Sequence, residues 1–304
     1  MIVITGNSNP LLAKSIAKKL AMPISIAKTK KFEDQELRIQ LEDDFNGQDV
    51  VIIQSTSKPA NDNLMELLLL SDTARHAGAR HITAVIPYFG YSRQDKPTYN
   101  NGSISACLVA NLIESSGVDR VITLDLHSKS SESFFKIYIQ NLDSSSLFSY
   151  LFQDLNNYIV VSPDSGGISR AEKLAKLLFT DLAVINKSRD LTGKCKMDEV
   201  IGNIWRKNCI IIDDIIDTGE TLCLAAELLM KQGAICVIAC VTHAVLSGDS
   251  IKRIENSPII KLYVTDSIAN NTLLNKVSKK IEVISVATIF ANSLKPHDLN
   301  NAGV

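Results

Sequence analysis

The stretch from Cys209 to Thr221 reads C-I-I-I-D-D-I-I-D-T-G-E-T and constrains the chain more than any other. Its start, Cys209-Ile210-Ile211-Ile212, is a short apolar run rich in β-branched residues. Such a run predicts a strand buried on both faces of a parallel sheet. Asp213, Asp214 and Asp217 follow as an acidic loop, and Leu222 to Gln232 has helical spacing. In open α/β sheets, ligands bind at the carboxyl ends of strands. A helix N-terminus offers unpaired N–H groups and a positive dipole end, which suit a phosphate. Thr218 and Thr221 can add hydroxyl donors, and Gly219 lets backbone come close. Carboxylates would repel that phosphate, but they accept hydrogen bonds from sugar hydroxyls or hold Mg²⁺ through water. The parts suit a phosphorylated sugar. The competing reading is an ordinary βα turn with an acidic cap; three aspartates and two threonines between 213 and 221 weigh against it.

The same alternation of apolar run and helical stripe recurs along the chain. Strands are expected at Ile2–Ile4, Asp49–Ser57, His81–Pro87 and Val118–Leu126, then at Tyr158–Asp164, Leu182–Ile185, Ile235–Val241, Ile259–Thr265 and Ile281–Ser285. Helices are expected between them, including Leu64–His76 capped from Asn61-Asp62-Asn63. The pattern predicts an α/β chain with mainly parallel sheets, right-handed crossovers and flanking helices. Polar Asn141–Ser149 marks a boundary between domains at about 1–145 and 146–285, and a closing segment, 286–304, is expected to pack back on the first. Neither a P-loop nor a G-x-G-x-x-G sequence is present.

Other strand ends carry candidate chemistry. Phe32-Glu33-Asp34-Gln35-Glu36 could clamp a nucleobase, although on the residues alone a solvated edge strand is the favoured reading. Arg93 and Gln94 follow an aromatic loop, where an arginine can lie over a purine or phosphate. His127, just past a buried strand, could ligate metal or meet a phosphoryl group; a lone histidine is more often structural. Asp164, beside two glycines, suits Mg²⁺ near a phosphate, and a turn carboxylate is the alternative. Lys187 and Arg189 alternate before polar Asp190–Asp198, read as a mobile loop. Cations on a closing loop can neutralise charge on a transferring phosphoryl group.

Net charge is −1 at pH 7 and 45% of the residues are hydrophobic. That balance gives no reason to expect nucleic acid or an acidic membrane as partner. The six cysteines form no C-x-x-C pair, which suits reduced thiols in a cytoplasmic protein. No apolar run approaches the ~20 residues needed to span a bilayer.

Taken in order, the blocks FEDQE (32–36), IIQSTS (52–57), NDNLMELLL (61–69), ITAVIPYFGYSRQD (82–95), RVITLDLH (120–127), VVSPDSGG (160–167), NKSR (186–189) and DDIIDTGET (213–221) resemble the ribose-phosphate pyrophosphokinase family. The resemblance runs from residue 6 to residue 291. It implies two phosphoribosyltransferase-like domains and transfer of diphosphate from MgATP to the C1 hydroxyl of ribose 5-phosphate, giving 5-phosphoribosyl 1-diphosphate and AMP. It implies ATP contacts at Phe32, Asp34, Glu36, Arg93, Gln94 and His127, with the hairpin residues often reaching a neighbouring subunit. It also implies Mg²⁺ at His127 and Asp164, and catalytic cations at Lys187 and Arg189. The ribose-5-phosphate site would comprise Asp213, Asp214, Asp217, Thr218, Gly219, Glu220 and Thr221. The expected assembly is a homo-oligomer, dimer or hexamer. A phosphoribosyltransferase and a non-catalytic regulatory paralogue are the alternatives. Five departures stand out. The usual Asp-Gly-Glu is Asp34-Gln35-Glu36, and Asp-Lys-Arg-Arg is Asn186-Lys187-Ser188-Arg189. The basic positions that help bind a regulatory phosphate or ADP are replaced by Asp44-Phe45-Asn46-Gly47 and by Lys96 to Ser103. Many members also have a small residue where this chain has Glu220. The loss of those basic positions leads us to expect an enzyme that inorganic phosphate does not activate and that resists allosteric inhibition by ADP.

Overall fold

The computed structural model describes residues 1–97, 102–152, 157–189, 195–269 and 278–295, with backbone alone at 187–189 and 195–198. The chain forms two compact units, Met1–Leu142 with Ser285–Val304, and Asp143–Ile284.

The first unit holds a parallel sheet whose described strands run β2-β1-β5-β6-β7-β8. They are β1 (Ile2–Thr5), β2 (Ile24–Ile26), β5 (Asp49–Ile53), β6 (His81–Ile86), β7 (Arg120–Leu124) and β8 (Tyr138–Leu142). After their first residue, β5, β6 and β7 are buried along their whole length, as strands covered on both faces must be. Helices α1 (Pro10–Leu20), α2 (Ala60–His76) and α3 (Ser105–Ser115) supply the covering. Asn9 caps α1 by accepting from Leu12 N at 3.3 Å, with Pro10 at the first helical position. A separate antiparallel hairpin pairs β3 (Lys28–Lys31) with β4 (Leu37–Gln40).

In the second unit the described sheet order is β11-β10-β9-β12-β13-β14-β15. The strands are β9 (Tyr158–Ser162), β10 (Leu182–Arg189), β11 (Cys195–Ile201), β12 (Asn208–Ile216), β13 (Cys236–Ala244), β14 (Ile259–Thr265) and β15 (Ile281–Ile284). All pairs are parallel except β10 with β11. Helices α4 (Ser145–Ser149), α5 (Ile168–Leu178), α6 (Glu220–Lys231) and α7 (Ser250–Asn256) belong to this unit. In the first unit, α8 (Ala287–Leu294) lies against α1, and Arg120 Nη2 donates to the Ser293 carbonyl at 3.4 Å.

Three elements differ from the sequence expectation. β12 does not stop before the acids: it runs to Ile216, because Asp213, Ile215 and Ile216 pair with Val241, His243 and Ala244 of β13. Helix α2 begins at Ala60 without a side-chain cap. Its Asn61 instead accepts from the Tyr91 hydroxyl, and Asn63 Nδ2 donates to the Ser57 carbonyl at 2.8 Å. β10 extends to Arg189 because β11 pairs with it, with a register shift between Asn186 and Lys187; residues 190–194 of the expected mobile loop lie outside the described residues. The described cysteines are free, and burial pushes the Cys209 thiol up to about 12, which keeps it protonated and unreactive.

Candidate active site

In the second unit, strand order reverses between β9 and β12. β10 and β11 lie on one side, and β13 to β15 on the other. This is the topological switch point where open α/β sheets bind ligands. Both flanking strands end in acids. Asp164 follows β9 and turns the chain with its side chain: its Oδ1 accepts from Gly166 N at 2.9 Å and Gly167 N at 3.1 Å. Asp213 and Asp214 lie on β12 itself.

One arginine holds that pair. Arg170 Nη1 lies 3.5 Å from Asp213 Oδ1 and 3.3 Å from Asp214 Oδ1. Asp214 N also donates to Asp213 Oδ1 at 2.9 Å. Burial first, and the Asp214 charge second, push Asp213 well above the usual carboxylate range. Both effects favour the protonated form of Asp213. The Asp213 side chain keeps 23% of its surface exposed while Asp214 keeps 7%. Asp213 is therefore the member that can meet a ligand hydroxyl.

The loop after β12 is tied down. Ser247 N donates to the Asp217 carbonyl at 3.1 Å, and Ser247 Oγ donates to Asp217 Oδ1. Arg253 Nη1 donates to the Thr218 carbonyl. Gly219, at φ 75°, occupies the left-handed region and begins α6 as its N-cap; a side chain there would strain the turn. Glu220 is exposed in the first turn of α6, and Thr218 is exposed beside it. Thr221 is half-buried. The result is a fixed α6 N-terminus flanked by carboxylates.

In the first unit, neighbouring strands β6 and β7 deliver the other candidates to one end of the sheet. The turn after β6 rests on Thr56: Thr56 N donates to the Tyr88 carbonyl at 2.9 Å, and Gly90 N donates to Thr56 Oγ1 at 2.6 Å. A Cβ on Gly90 would sit 2.3 Å from the Thr56 carbonyl oxygen, so this approach requires glycine. Arg93 is exposed. Gln94 Oε1 accepts from the Ser105 hydroxyl at 2.7 Å, which anchors Gln94 to the start of α3. His127 is exposed just past β7. The turn before it is held by Leu126 N donating to Asn141 Oδ1 at 3.1 Å, and Asn141 Nδ2 donates to Glu132 at 3.0 Å.

Phe32, Asp34 and Glu36 form the tip of the β3–β4 hairpin. Phe32 N donates to the Glu36 carbonyl at 2.9 Å, and Glu36 N to Asp34 Oδ1 at 3.2 Å. Phe32 is 39% exposed. Gln35 sits at φ 76°, a left-handed position that explains why glycine is usual there. Lys187 and Arg189 lie on β10, which pairs with β9 before Asp164; their side chains lie outside the described residues.

Arg170, Asn141, Ser247 and Arg253 escaped the reading of the sequence. Only Arg170 left a signal, as a cation in the first turn of a helix that follows the VVSPDSGG block.

Comparison with known proteins addresses this arrangement. A family model described as the N-terminal domain of ribose phosphate pyrophosphokinase matches residues 1–117, and one described as the phosphoribosyl synthetase-associated domain matches 190–301. The ribose-phosphate pyrophosphokinase of Agrobacterium fabrum is 46% identical over 297 residues, covering 97% of this chain and 96% of its own length. That of Rhizobium meliloti matches with the same identity and coverage. Among solved structures, the phosphoribosylpyrophosphate synthetase of Mycobacterium smegmatis superposes with a TM-score of 0.89 at 32% identity, covering 96% of each chain.

Proposed function

This chain belongs to the ribose-phosphate pyrophosphokinase family, and on that premise we propose how its residues divide the work. The activity is formation of 5-phosphoribosyl 1-diphosphate from ATP and ribose 5-phosphate. A bond forms between the C1 oxygen and the β-phosphorus, the bond from that phosphorus to the α,β-bridging oxygen breaks, and AMP leaves as the hydroxyl proton is lost. Such a displacement needs positioning and charge neutralisation more than a nucleophilic side chain.

The observation that carries the assignment is the switch point of the second unit, where a fixed helix N-terminus stands beside a partly exposed carboxylate. The amides at Gly219 to Thr221 and the Thr218 and Thr221 hydroxyls receive the 5-phosphate. Of the ribose-site pair Asp213 and Asp214, the partly exposed Asp213 meets the ribose hydroxyls and the buried Asp214 stands behind it. Lys187 and Arg189 neutralise charge on the transferring group. Phe32, Asp34, Glu36, Arg93, Gln94 and His127 serve ATP, with the hairpin tip acting on a neighbouring copy in a homo-oligomer, dimer or hexamer. His127 and Asp164 are each proposed to ligate Mg²⁺. No group of three or more His, Cys, Asp or Glu able to cage a metal stands among the described residues. Mg²⁺ binds through one or two carboxylates plus substrate phosphates and water. When bound, the ion would offset phosphate charge. No helix among the described residues is long and apolar enough to cross a membrane, and the enzyme is proposed to work in the cytoplasm.

We also infer that inorganic phosphate does not activate the enzyme and that ADP does not inhibit it allosterically. At the altered segment, Asp44 Oδ1 accepts from Asn46 N at 3.0 Å, closing a turn that presents an acid and neutral residues where the family resemblance implies an arginine. Residues 98–101 of the second altered segment lie outside the described residues. The test is AMP formation from ATP and ribose 5-phosphate with Mg²⁺, with and without phosphate, beside Lys187→Ala. Activity without phosphate that is lost in the variant supports both readings. Steep activation by phosphate overturns the regulatory one, and a folded protein that binds ribose 5-phosphate without turnover overturns the catalytic one.

A further inference from the structure

Helix α7 takes no part in the site as assigned, yet it touches the sugar-phosphate loop repeatedly. Its Ile254 is fully buried in the core that also holds Ile216 and Leu222. A Cβ on Gly219 would lie 3.8 Å from both Ile254 Cγ1 and the Ser250 carbonyl oxygen, so α7 sits directly against that glycine. Next to Ile254, Arg253 spans to the Thr218 carbonyl. Before the helix, Leu246 N donates to the Ile216 carbonyl at 3.1 Å, and Ser247 brackets Asp217 through both its N–H and its hydroxyl. Each residue from Ile216 to Thr218 is thus held through an oxygen by the segment 246–253.

The far end of α7 is pinned as well. Lys280 Nζ donates to the carbonyls of Ile254 at 3.3 Å, Glu255 at 2.8 Å and Ser257 at 2.8 Å. These are the carbonyls a helix C-terminus leaves unpaired, and a cation there also meets the negative dipole end. The helix that carries Arg253 is therefore fixed at both ends.

The peptide bond converts this into ligand geometry. A trans peptide is planar, so its N–H points opposite to its carbonyl. When Arg253 holds the Thr218 carbonyl on the α7 side, the Gly219 N–H faces away from α7. Gly219 is glycine at positive φ, so its peptide has more freedom to rotate than any other in the loop. Without a tether, the carbonyl could turn into the cradle and present an oxygen to an anion.

We propose that Arg253, supported by Ser247, is a positioning residue that locks the 218–219 peptide with its N–H available to the 5-phosphate of the sugar substrate. This rests on the assignment of the loop to ribose 5-phosphate. The test compares Arg253→Met, which keeps the stem, with Arg253→Lys, which keeps a donor. For Arg253→Met we expect KM for ribose 5-phosphate to rise about tenfold, as misplacement of a binding group does, and calorimetric Kd to follow it. KM for ATP should stay within twofold and Tm should be unchanged, and Arg253→Lys should recover much of the loss. Amide exchange at Ser247, read on the protein without substrate, should rise in Arg253→Met alone. Equal shifts in both KM values, or unchanged ribose 5-phosphate affinity, overturn the proposal. A wild-type protein that binds no ribose 5-phosphate refutes the loop assignment instead, and unchanged Ser247 exchange then still refutes the latch.

Discussion

Glu66 is 3% exposed in the first unit, and its replacement by glutamine gives a sharp prediction. Its Oε1 accepts from Asn7 Nδ2 at 2.6 Å and from the Thr29 hydroxyl at 2.9 Å. Its Oε2 accepts from Gln54 Nε2 at 2.7 Å, and Asn7 N lies 3.3 Å from both oxygens. A carboxylate meets four donors here because it is all acceptor. Glutamine must place an NH₂ at one of the two positions. Facing Asn7 and Thr29, it opposes the Asn7 side-chain donor and forces the Thr29 hydroxyl to turn and accept. Facing Gln54, it opposes one, and Gln54 cannot turn over: its Oε1 accepts from Ser8 N at 3.1 Å and Ser8 Oγ at 2.7 Å, while Nε2 also serves the Asn63 carbonyl at 3.1 Å. The better orientation therefore leaves one buried donor pair unsatisfied and weakens charge-assisted bonds. The cost is about 2–3 kcal/mol, or roughly 30- to 150-fold in the local opening equilibrium. Amide exchange at Asn7, Ser8 and α2 should accelerate by that factor in Glu66→Gln. The lone tryptophan, Trp205, belongs to the second unit, so its urea midpoint should not move and serves as the control. Exchange at Asn7 and Ser8 within threefold of wild type would refute the donor accounting.

Three further outcomes are expected. Gln35→Gly should relieve the left-handed backbone at the hairpin tip, a cost of about 1 kcal/mol, and slow exchange at the Gln35 amide about fivefold; unchanged exchange would show the tip carries no such strain. Asp213→Asn should change how stability responds to pH. Because folding raises the Asp213 pKa, the folded state holds the proton more tightly, and stability falls as pH rises from the unfolded value of about 3.9 through the folded one. The amide variant has no proton to lose there, so its advantage in Trp205-monitored urea unfolding should grow from pH 4 to pH 8; a constant difference would contradict the shift. Gly219→Ala should destabilise the turn by about 1 kcal/mol and raise KM for ribose 5-phosphate with little change in KM for ATP; parallel changes in both would place the loop outside the sugar site.

The strands that carry the candidate site were legible where burial on both faces imposes an unbroken apolar run, as at Ile210–Ile212 and Ile82–Ile86. The end of β12 was not. Adjacent aspartates disfavour a strand, and only pairing with β13 together with Arg170 makes Asp213 and Asp214 strand residues. β3 is equally silent in sequence, since Lys28-Thr29-Lys30-Lys31 has no apolar face and becomes a strand through β4. β8 falls partly in a polar stretch that resembles a linker, although Asn141 there fixes the turn before His127. Glu66, Arg170 and Arg253 lie on helices with ordinary spacing, and what they do depends on partners 12 to 59 residues away. No local pattern encodes such contacts.

The two units also use the same feature of their folds differently. In the first, strand order reverses between β1 and β5, so a ligand crevice is expected there too. Gln54 at the end of β5 is fully buried, and with Glu66 it binds the turn after β1 into a closed network. Thr29 joins that network from β3, so the crevice that could have held a ligand instead fastens the hairpin whose tip carries Phe32, Asp34 and Glu36. In the second unit the corresponding crevice keeps Thr218 exposed and Asp213 partly so. One switch point thus works as a mounting, and the other is the one proposed to bind ligand. Breaking the first should then disturb ATP use through the hairpin while leaving the affinity for ribose 5-phosphate intact, because the loop proposed to hold the sugar phosphate takes its support from α7 of its own unit.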